Sequence, residues 1–470
     1  MSIKSTIVHY QLLISAKRWD FEYFDPIYVE TINKINDSGW NIFKLKDIVE
    51  DLTDGQHGYL VHTLEGVPLL RTTNIFEHEI RLDDVRYIDP EVHSGIKRSQ
   101  LKPGDVLLTT IGSLGIAAVV SAELGEANIN QNLVKITPKD EVNSDFLSLF
   151  LNSNLGRIQT QRTASKSVVP IISYSRLKNI IIPLPPRAVQ NQIAQIMQEA
   201  YRDRQRKSDQ SNNIYKGLGS LVLERLGINL NSIQSKKSDL VSIARVKGGR
   251  FDFEAVVTTW DVLNSLGDQQ TTALHEVVHQ VKDRITPAED FPKEYVNYIG
   301  LADIESNTGE LSGFQPTEGS KILSSSPTFE KGDILYGRMR PYLNKVWVAE
   351  FDGVCSGEAL VFRAKTDKVD VRFLHTLLLS QLTLDQVIPL QSGSSLPRVS
   401  ASDVLSIKLP VPEKIESQKE LGDEIAKRRA EAKRLKAEAE SVVVESKARV
   451  ERLILGKEEA DDDSQGDAPE

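Results

Sequence analysis

Cysteine is almost absent from this chain, since Cys355 is the only one among 470 residues. A single cysteine excludes an internal disulfide framework and is typical of a reducing compartment. Apolar runs are short as well, and none approaches the roughly 20 residues that a membrane-spanning helix needs. Residues 1–10 interrupt their apolar positions with polar ones, which is unlike the core of a secretory signal. We therefore expect a cytoplasmic protein.

Several enzyme signatures are also missing from the sequence. Gly456-Lys457 is followed by glutamate, so it is not the end of a phosphate-binding Walker A loop. Pro185-Pro186 lies between leucine and arginine and does not form the Asn/Asp-Pro-Pro-aromatic motif of methyltransferases. No Gly-x-Ser-x-Gly nucleophile elbow occurs. Methyl transfer and cleavage are therefore expected to come from partners and not from this chain.

The charge balance gives no bulk support for nucleic-acid binding. The chain carries 57 basic and 66 acidic residues, for a net charge of −9. Residues 457–470 hold seven of the acidic residues against one lysine, so the remainder is only weakly acidic. Such a body can still carry local basic faces. The acidic tail itself has the composition of a disordered segment.

The sequence repeats itself once. Residues 18–22, Arg-Trp-Asp-Phe-Glu, recur as Arg-Phe-Asp-Phe-Glu at 250–254, and Gly104-Asp105 recurs as Gly332-Asp333. Further matches share one offset of 227 residues: Pro170 with Pro397, Pro183 with Pro410, Pro185 with Pro412, and Glu224-Arg-Leu226 with Glu451-Arg-Leu453. The chain therefore consists of two similar halves.

Each half ends in a long stretch that begins after a proline and contains no other. Apolar residues recur there at steps of three and four, which predicts a helix with a narrow apolar seam. At about 1.5 Å per residue, roughly forty residues form a rod of about 60 Å. Two such rods of equal length are expected to pack on each other.

The globular part of each half mixes short strands and helices. Strands are predicted at 105–109, 115–120 and 133–136, and helices at 21–34, 145–155, 252–266 and 372–384. This pattern predicts an α+β class with mixed or antiparallel sheets. Residues 227–237 have the composition of a linker.

Taken in order, these features resemble the specificity (S) subunits of Type I restriction-modification systems. The resemblance rests on the duplicated Gly-Asp turns, on the proline junctions before the long helices, and on these motifs: Ile111-Gly-Ser-Leu-Gly115, Arg340-Pro-Tyr-Leu-Asn-Lys-Val346 and Gly357-Glu-Ala-Leu-Val361. Gln190 and Gln418 near the helix starts belong to the pattern, but Gln190 stands opposite Ser417 at the common offset, so the two glutamines are expected not to correspond. Arg340-Pro-Tyr has no counterpart in the first copy.

The resemblance implies two similar target recognition domains joined by two long helices, packed as an antiparallel coiled coil with pseudo-two-fold symmetry. The implied segments are a first recognition domain at 1–184, a spacer helix at 185–227, a linker at 228–247, a second recognition domain at 248–411, a spacer helix at 412–456 and the tail at 457–470. It also implies a non-catalytic subunit that reads a bipartite, asymmetric site on double-stranded DNA. Its partners would be two methyltransferase subunits and restriction/translocase subunits, with S-adenosylmethionine, ATP and Mg on those partners and no cofactor on this chain.

Candidate DNA contacts are polar side chains on loops that follow strands. They are Arg71, Thr73, Asn74, Thr110, Ser113 and Lys166 in the first half, and Arg338, Arg340, Tyr342, Asn344, Ser394 and Arg398 in the second. Arg338 and Arg340 are favoured because they flank Met339 just past a strand, beside a stiff Pro341. Gly104 and Gly332 are expected to serve turns instead.

Two alternatives compete with DNA recognition. His275-Glu-Val-Val-His279 matches the H-E-x-x-H pattern of zinc metalloproteases, in which two histidines share a helix face and the glutamate is the general base. The corresponding stretch of the first copy lacks histidine, and the paired valines fit a strand equally well. The weakly acidic body also leaves open a coiled-coil adaptor that binds protein and not DNA.

Overall fold

The structure is a computed structural model, and it describes residues 25–58, 60–163, 170–172, 174–228 and 271–459. The predicted helix at 252–266, most of the linker and most of the acidic tail lie outside these residues. The chain divides into two compact units, Met1–Arg204 with Glu440–Glu470, and Gln205–Ala439. None of the described helices is long and apolar enough to cross a membrane.

The helices of the described residues are numbered here in chain order. They are α1 (Pro26–Asn36), α2 (Pro90–Gly95), α3 (Ser144–Asn152), α4 (Asn154–Thr163), α5 (Tyr174–Leu177), α6 (Arg187–Arg225), α7 (Leu274–Val277), α8 (Pro287–Asp290), α9 (Val371–Leu379), α10 (Gln381–Val387), α11 (Ala401–Ser406) and α12 (Ile415–Ile454).

The strands that precede α6 belong to the first unit. They are β1 (Asn41–Lys44), β2 (Val49–Asp54), β3 (Val67–Leu70), β4 (Ile75–Phe76), β5 (Glu79–Ile80), β6 (Arg86–Ile88), β7 (Val106–Thr109), β8 (Ala117–Val119), β9 (Asn128–Ile129), β10 (Leu133–Pro138) and β11 (Ile181–Leu184).

The strands of the second unit follow α6. They are β12 (Thr272–Ala273), β13 (Val278–Val281), β14 (Arg284–Ile285), β15 (Tyr295–Val296), β16 (Tyr298–Ile299), β17 (Thr317–Glu318), β18 (Ser326–Phe329), β19 (Ile334–Gly337), β20 (Val346–Val348), β21 (Gly353–Cys355), β22 (Ala359–Ala364) and β23 (Lys408–Leu409).

The main sheets of the two units have the same order of strands. The first unit has an antiparallel sheet β2-β10-β7-β8, and the second has β13-β22-β19-β20. A parallel pair also recurs, with β3 beside β9 in the first unit and β16 beside β21 in the second. The predicted repeat and the mixed α+β class are therefore confirmed at the level of topology.

The repeated Gly-Asp motif makes the same turn in both units, just before a fully buried strand. Gly104 and Gly332 have φ values of +89° and +95°, a region that favours glycine. The Asp105 carboxylate accepts a hydrogen bond from the Lys102 amide at 2.8 Å, and the Asp333 carboxylate accepts one from the Glu330 amide at 2.9 Å. The motif thus positions a strand start, as its turn composition predicted.

The two long helices pack together within each unit. In the first unit, Ile193 and Met197 of α6 share one apolar core with Val450 and Leu453 of α12. Burying such side chains is worth about 1.5–3 kcal/mol each. The helices therefore form part of the globular core and are not free rods.

Contacts in the second unit also give the direction of the two helices. Ser211 of α6 donates a hydrogen bond to the Ala432 carbonyl of α12 at 2.8 Å, and Arg225 pairs with Glu424 at 3.2 Å. From the first contact to the second, the residue number increases on α6 and decreases on α12. The two segments are therefore antiparallel there. Coiled-coil packing along the whole length stays a prediction.

Gln190 and Gln418 correspond in the structure, and the expectation that they do not was wrong. Gln190 is buried; its amide nitrogen donates to the carbonyls of Glu141 at 3.2 Å and Pro185 at 2.9 Å. Its oxygen accepts from the Asn143 amide at 2.8 Å. This one side chain fastens the start of α6 to the turn that precedes α3.

Gln418 makes the same three bonds in the second unit. Its nitrogen donates to the carbonyls of Lys368 at 3.0 Å and Pro412 at 2.7 Å, and its oxygen accepts from the Asp370 amide at 2.9 Å. The second copy has one more residue between its proline and its glutamine than the first. That insertion hides the correspondence from an alignment at constant offset.

We predict that Gln418→Ala lowers the free energy of unfolding by about 1–3 kcal/mol, because it leaves buried backbone groups without partners. Urea denaturation measures the loss, and amide hydrogen exchange at Asp370 should become faster. Gln381→Ala is the matched control, since that exposed side chain bonds only the exposed end of Asp385; its effect should stay within about 0.5 kcal/mol. Equal effects of the two changes would contradict this role.

Candidate nucleic-acid interface

Three loops of the second unit meet at one edge of its main sheet. The Arg338 amide donates to the Glu358 carbonyl at 2.9 Å, the Val399 amide to the Arg338 carbonyl at 3.0 Å, and the Arg340 amide to the Pro397 carbonyl at 2.7 Å. We call these loops the second loop cluster. It comprises residues 338–344, 356–358 and 391–399.

All six predicted contacts of the second half lie in this cluster. Arg340 is exposed and has φ +49°, in the left-handed region, so its backbone bends sharply just past β19. Tyr342 is 48% exposed in the following turn, and Ser394 is exposed on the facing loop. Arg338 is half-buried, and its Nε has no hydrogen-bond partner. The cluster thus combines cations, a hydroxyl and an aromatic ring.

Arg398 is held by a carboxylate from the same cluster. Its Nε donates to both oxygens of Glu358 at 3.0 Å, and a second nitrogen donates to one of them at 2.8 Å. The hydrogen bond from Arg398, with the charges of Arg398 and Arg338, holds the pKa of Glu358 below its ordinary value against the opposing effect of burial. Glu358 therefore stays ionised, and the two side chains form a fixed pair.

Asn344 is not available for contact, although its residue type suggested it. The side chain is buried, with 4% exposure, and its amide nitrogen donates to Asn307 at 3.1 Å and to the Leu379 carbonyl at 2.8 Å. Its φ of +50° shows why asparagine stands there, since this residue tolerates the left-handed region. Asn344 shapes the turn.

The first unit repeats the backbone frame of the cluster with other side chains. The Thr110 amide donates to the Asn132 carbonyl, and the Ile172 amide to the Thr110 carbonyl, both at 3.0 Å. Thr110 is buried and its hydroxyl also bonds the Asn132 carbonyl at 3.0 Å, so it is a structural residue. Ser113 is exposed at the tip of the loop. Lys166 lies outside the described residues.

The other candidates of the first half lie in the turn after β3. Asn74 is buried, accepts from the Arg71 amide at 3.0 Å and donates to the Arg81 carbonyl at 3.0 Å. Asp303 accepts from the Gly300 amide at 2.7 Å in the second unit, which is the same turn. Asn74 is therefore a turn residue and not a base contact.

Arg71 and Thr73 flank this turn. Arg71 donates to the carbonyl of Asp84 at 2.7 Å and to its carboxylate at 3.1 Å, which partly neutralises its charge. Thr73 is exposed. In the first unit, Arg71 is therefore half-buried, whereas Thr73 and Ser113 are exposed.

The sequence profile described as "Type I restriction modification DNA specificity domain" matches residues 79–213 and 268–432. The chain belongs to this family. The two matched stretches fall one in each half of the chain, in agreement with the repeated topology.

Individual relatives are named as specificity subunits of Type I restriction enzymes. The chain is 36% identical over 123 residues to the Type I restriction enzyme EcoDI specificity subunit of Escherichia coli. The aligned stretch covers 26% of this chain and 27% of that protein. It is 22% identical over 401 residues to the MjaVIII specificity subunit of Methanocaldococcus jannaschii, which is 82% of this chain and 85% of the relative. A chain from a structural study of the assembly of a type I R-M system has a TM-score of 0.52 at 15% identity, over 89% of this chain and 98% of that one. At that identity the structural likeness supports the fold alone.

Sequence reasoning missed several groups that this specificity-domain fold brings to the same sheet edges. In the first unit, Gln131 is exposed between β9 and β10, and the His57 ring lies 2.6 Å from Asp54, where β2 ends. In the second unit, exposed Lys282 and Arg284 follow β13, and Glu358 precedes β22. The positions of these residues next to predicted strands could have been found from the sequence. The strand pairing that brings them to one edge of a sheet could not.

The zinc motif does not form a site in this specificity-family chain. The short helix α7 carries His275 and ends at Val277, and His279 lies on strand β13, so the two histidines do not share a helix face. The Glu276 carboxylate accepts from the Ala273 amide at 2.9 Å and caps the helix start. Among the residues that the structure describes, no group of three or more His, Cys, Asp or Glu could hold a metal. The metalloprotease alternative therefore has no support.

We predict that replacing both His275 and His279 by alanine leaves the zinc content of the purified chain unchanged. Both side chains are exposed, so the free energy of unfolding should change by no more than about 1 kcal/mol. Elemental analysis and urea denaturation measure the two quantities. Stoichiometric zinc in the parent that is lost in the variant would contradict the strand geometry.

Proposed function

We propose that this chain is the DNA-recognition subunit of a Type I restriction-modification complex, and that each unit reads one half of a bipartite, asymmetric site. The observation that carries the proposal is a loop frame that recurs in both units with different side chains. Arg338 stands where the first unit has Thr110, and Arg398 where it has Ile171. One frame with two sets of side chains suits a target whose halves differ.

The chemistry of the second loop cluster supports DNA as the ligand. Arginine reads guanine through its two major-groove acceptors and also binds phosphates, and tyrosine and serine hydroxyls bind phosphate oxygens. Arg340 is exposed, and its guanidinium forms no ion pair with another residue that the structure describes. It is the side chain that we assign to a base edge.

The long helices are proposed as the spacer between the two readers. Each of α6 and α12 has residues in both units, and their antiparallel contacts in the second unit agree with a folded-back pair. We propose the segments 1–184 and 248–411 as target recognition domains, with the helices as a pseudo-two-fold coiled coil and 457–470 as an acidic tail. The length of the helices would then set the number of base pairs between half-sites.

Methylation and cleavage are assigned to partners. We propose that two methyltransferase subunits and restriction/translocase subunits join this chain in the cytoplasm, and that they bring S-adenosylmethionine, ATP and Mg. The EcoDI relative is named as one subunit of a restriction enzyme, which agrees with a chain that works only in a complex.

We predict that Arg340→Ala weakens binding to the cognate site by about 1–3 kcal/mol and relaxes base preference at one position of one half-site. The measurement is a competition binding assay with the methyltransferase present, on sites randomised one base pair at a time. Lys427→Ala is the control, because it removes an exposed cation from α12, outside the loop cluster. Equal weakening on every sequence would make Arg340 a phosphate contact.

We predict that seven residues inserted into both helices, after Arg204 in α6 and after Ala439 in α12, lengthen the preferred spacer by about three base pairs. Seven residues add about 10.5 Å of helix, and DNA rises 3.4 Å per base pair. Mapping the methylated positions in a library of spacer lengths reads out the change. The same insertion in α12 alone should mismatch the apolar seam and abolish activity. A double insertion that keeps the original spacer would exclude this role.

A further inference from the structure

Glu358 is an unexpected residue for a surface that is to meet DNA. A carboxylate near phosphates is repelled, yet this one lies in the middle of the second loop cluster, beside Arg338 and Arg398. Its side chain is 31% exposed, so it is neither buried in the core nor free in solvent. Its backbone carbonyl accepts from the Arg338 amide at 2.9 Å, which fixes it to the loop that carries Arg340.

Arg398 holds this carboxylate in one orientation. Three contacts of 2.8–3.0 Å join the guanidinium to the two oxygens of Glu358. A further nitrogen of Arg398 donates to the Leu396 carbonyl at 3.0 Å. Most donors of Arg398 are therefore committed within the cluster, and Arg398 itself is poorly placed to read a base.

Glu358 keeps unused capacity to accept hydrogen bonds. An ionised carboxylate has about four lone-pair positions, and it can only accept. In the major groove, cytosine offers an isolated amino donor, whereas adenine places its amino group beside the N7 acceptor and guanine offers two acceptors. A group that only accepts is therefore matched best by cytosine.

We propose that Glu358 reads the amino group of a cytosine in the half-site of the second unit, and that Arg398 is a positioning residue that orients it. The proposal rests on the proposed DNA-recognition function and names one base contact within it. The competing explanation is that Glu358 only neutralises Arg398.

The test uses the full chain expressed with the methyltransferase subunits of its own host, on a DNA library randomised across the target. Methylation of each library member gives the base preference at every position. For Glu358→Gln we expect cytosine preference at a single position of one half-site to fall about tenfold to a hundredfold, with a gain for adenine, which glutamine can bind through N6 and N7. All other positions should keep their preference.

Arg398→Ala separates positioning from ion pairing. It should lower discrimination at the same position, and the double variant with Glu358→Gln should lose no more than Glu358→Gln alone, because both changes act through one contact. Glu358→Asp keeps the carboxylate but places it farther from the DNA, because the side chain is one methylene shorter. Cytosine should therefore remain preferred, with weaker discrimination against other bases. This variant also tests the proposal if Glu358→Gln does not fold.

Glu330→Gln is the matched control. That carboxylate pairs with Arg363 at 3.1 Å, but it precedes β19, at the opposite end of the strand from the loop cluster, so base preference should not change. If Glu358→Gln raises affinity for all sequences alike and keeps every base preference, Glu358 is only the partner of Arg398 and the proposal is overturned. A parent complex without any sequence preference would instead refute the proposed function, and this contact with it.

Discussion

Burial of the long helices against the two globular repeats is the interaction on which the rest of the structure depends. Helix α6 contributes Ile193 and Met197 to the core of the first unit, and Leu218 and Val222 to the core of the second. Helix α12 does the same, with Ile425 in the second unit. The core of each unit therefore includes segments of both long helices.

The molecule separates what is repeated from what varies. The repeated features are the Gly-Asp turns, the parallel strand pair and the glutamines that fasten each long helix to its domain. All of them satisfy backbone groups or fix strand positions, and they do so in both units. The side chains on the corresponding loops differ, with Thr110 and Ile171 in the first unit where the second unit has Arg338 and Arg398.

Much of the fold could be predicted from the sequence, because proline and glycine leave local signals. The proline junctions marked the starts of α6 and α12, and the Gly-Asp motif marked β7 and β19. The correspondence of Gln190 with Gln418 was missed, since one inserted residue shifts it off the common offset. The site was harder to predict. Asn74 and Asn344 have the residue type of base readers, but their amides are used by the turns that they form. The pairing of Arg398 with Glu358 joins residues 40 positions apart, and no local pattern announces it.

The second loop cluster is joined to itself largely through main-chain amides and carbonyls, at Arg338, Arg340 and Val399. These main-chain bonds do not depend on the exposed side chains that project from the loops, such as that of Ser394. Substitutions at such exposed positions should therefore change the surface of the cluster and leave its main-chain frame in place.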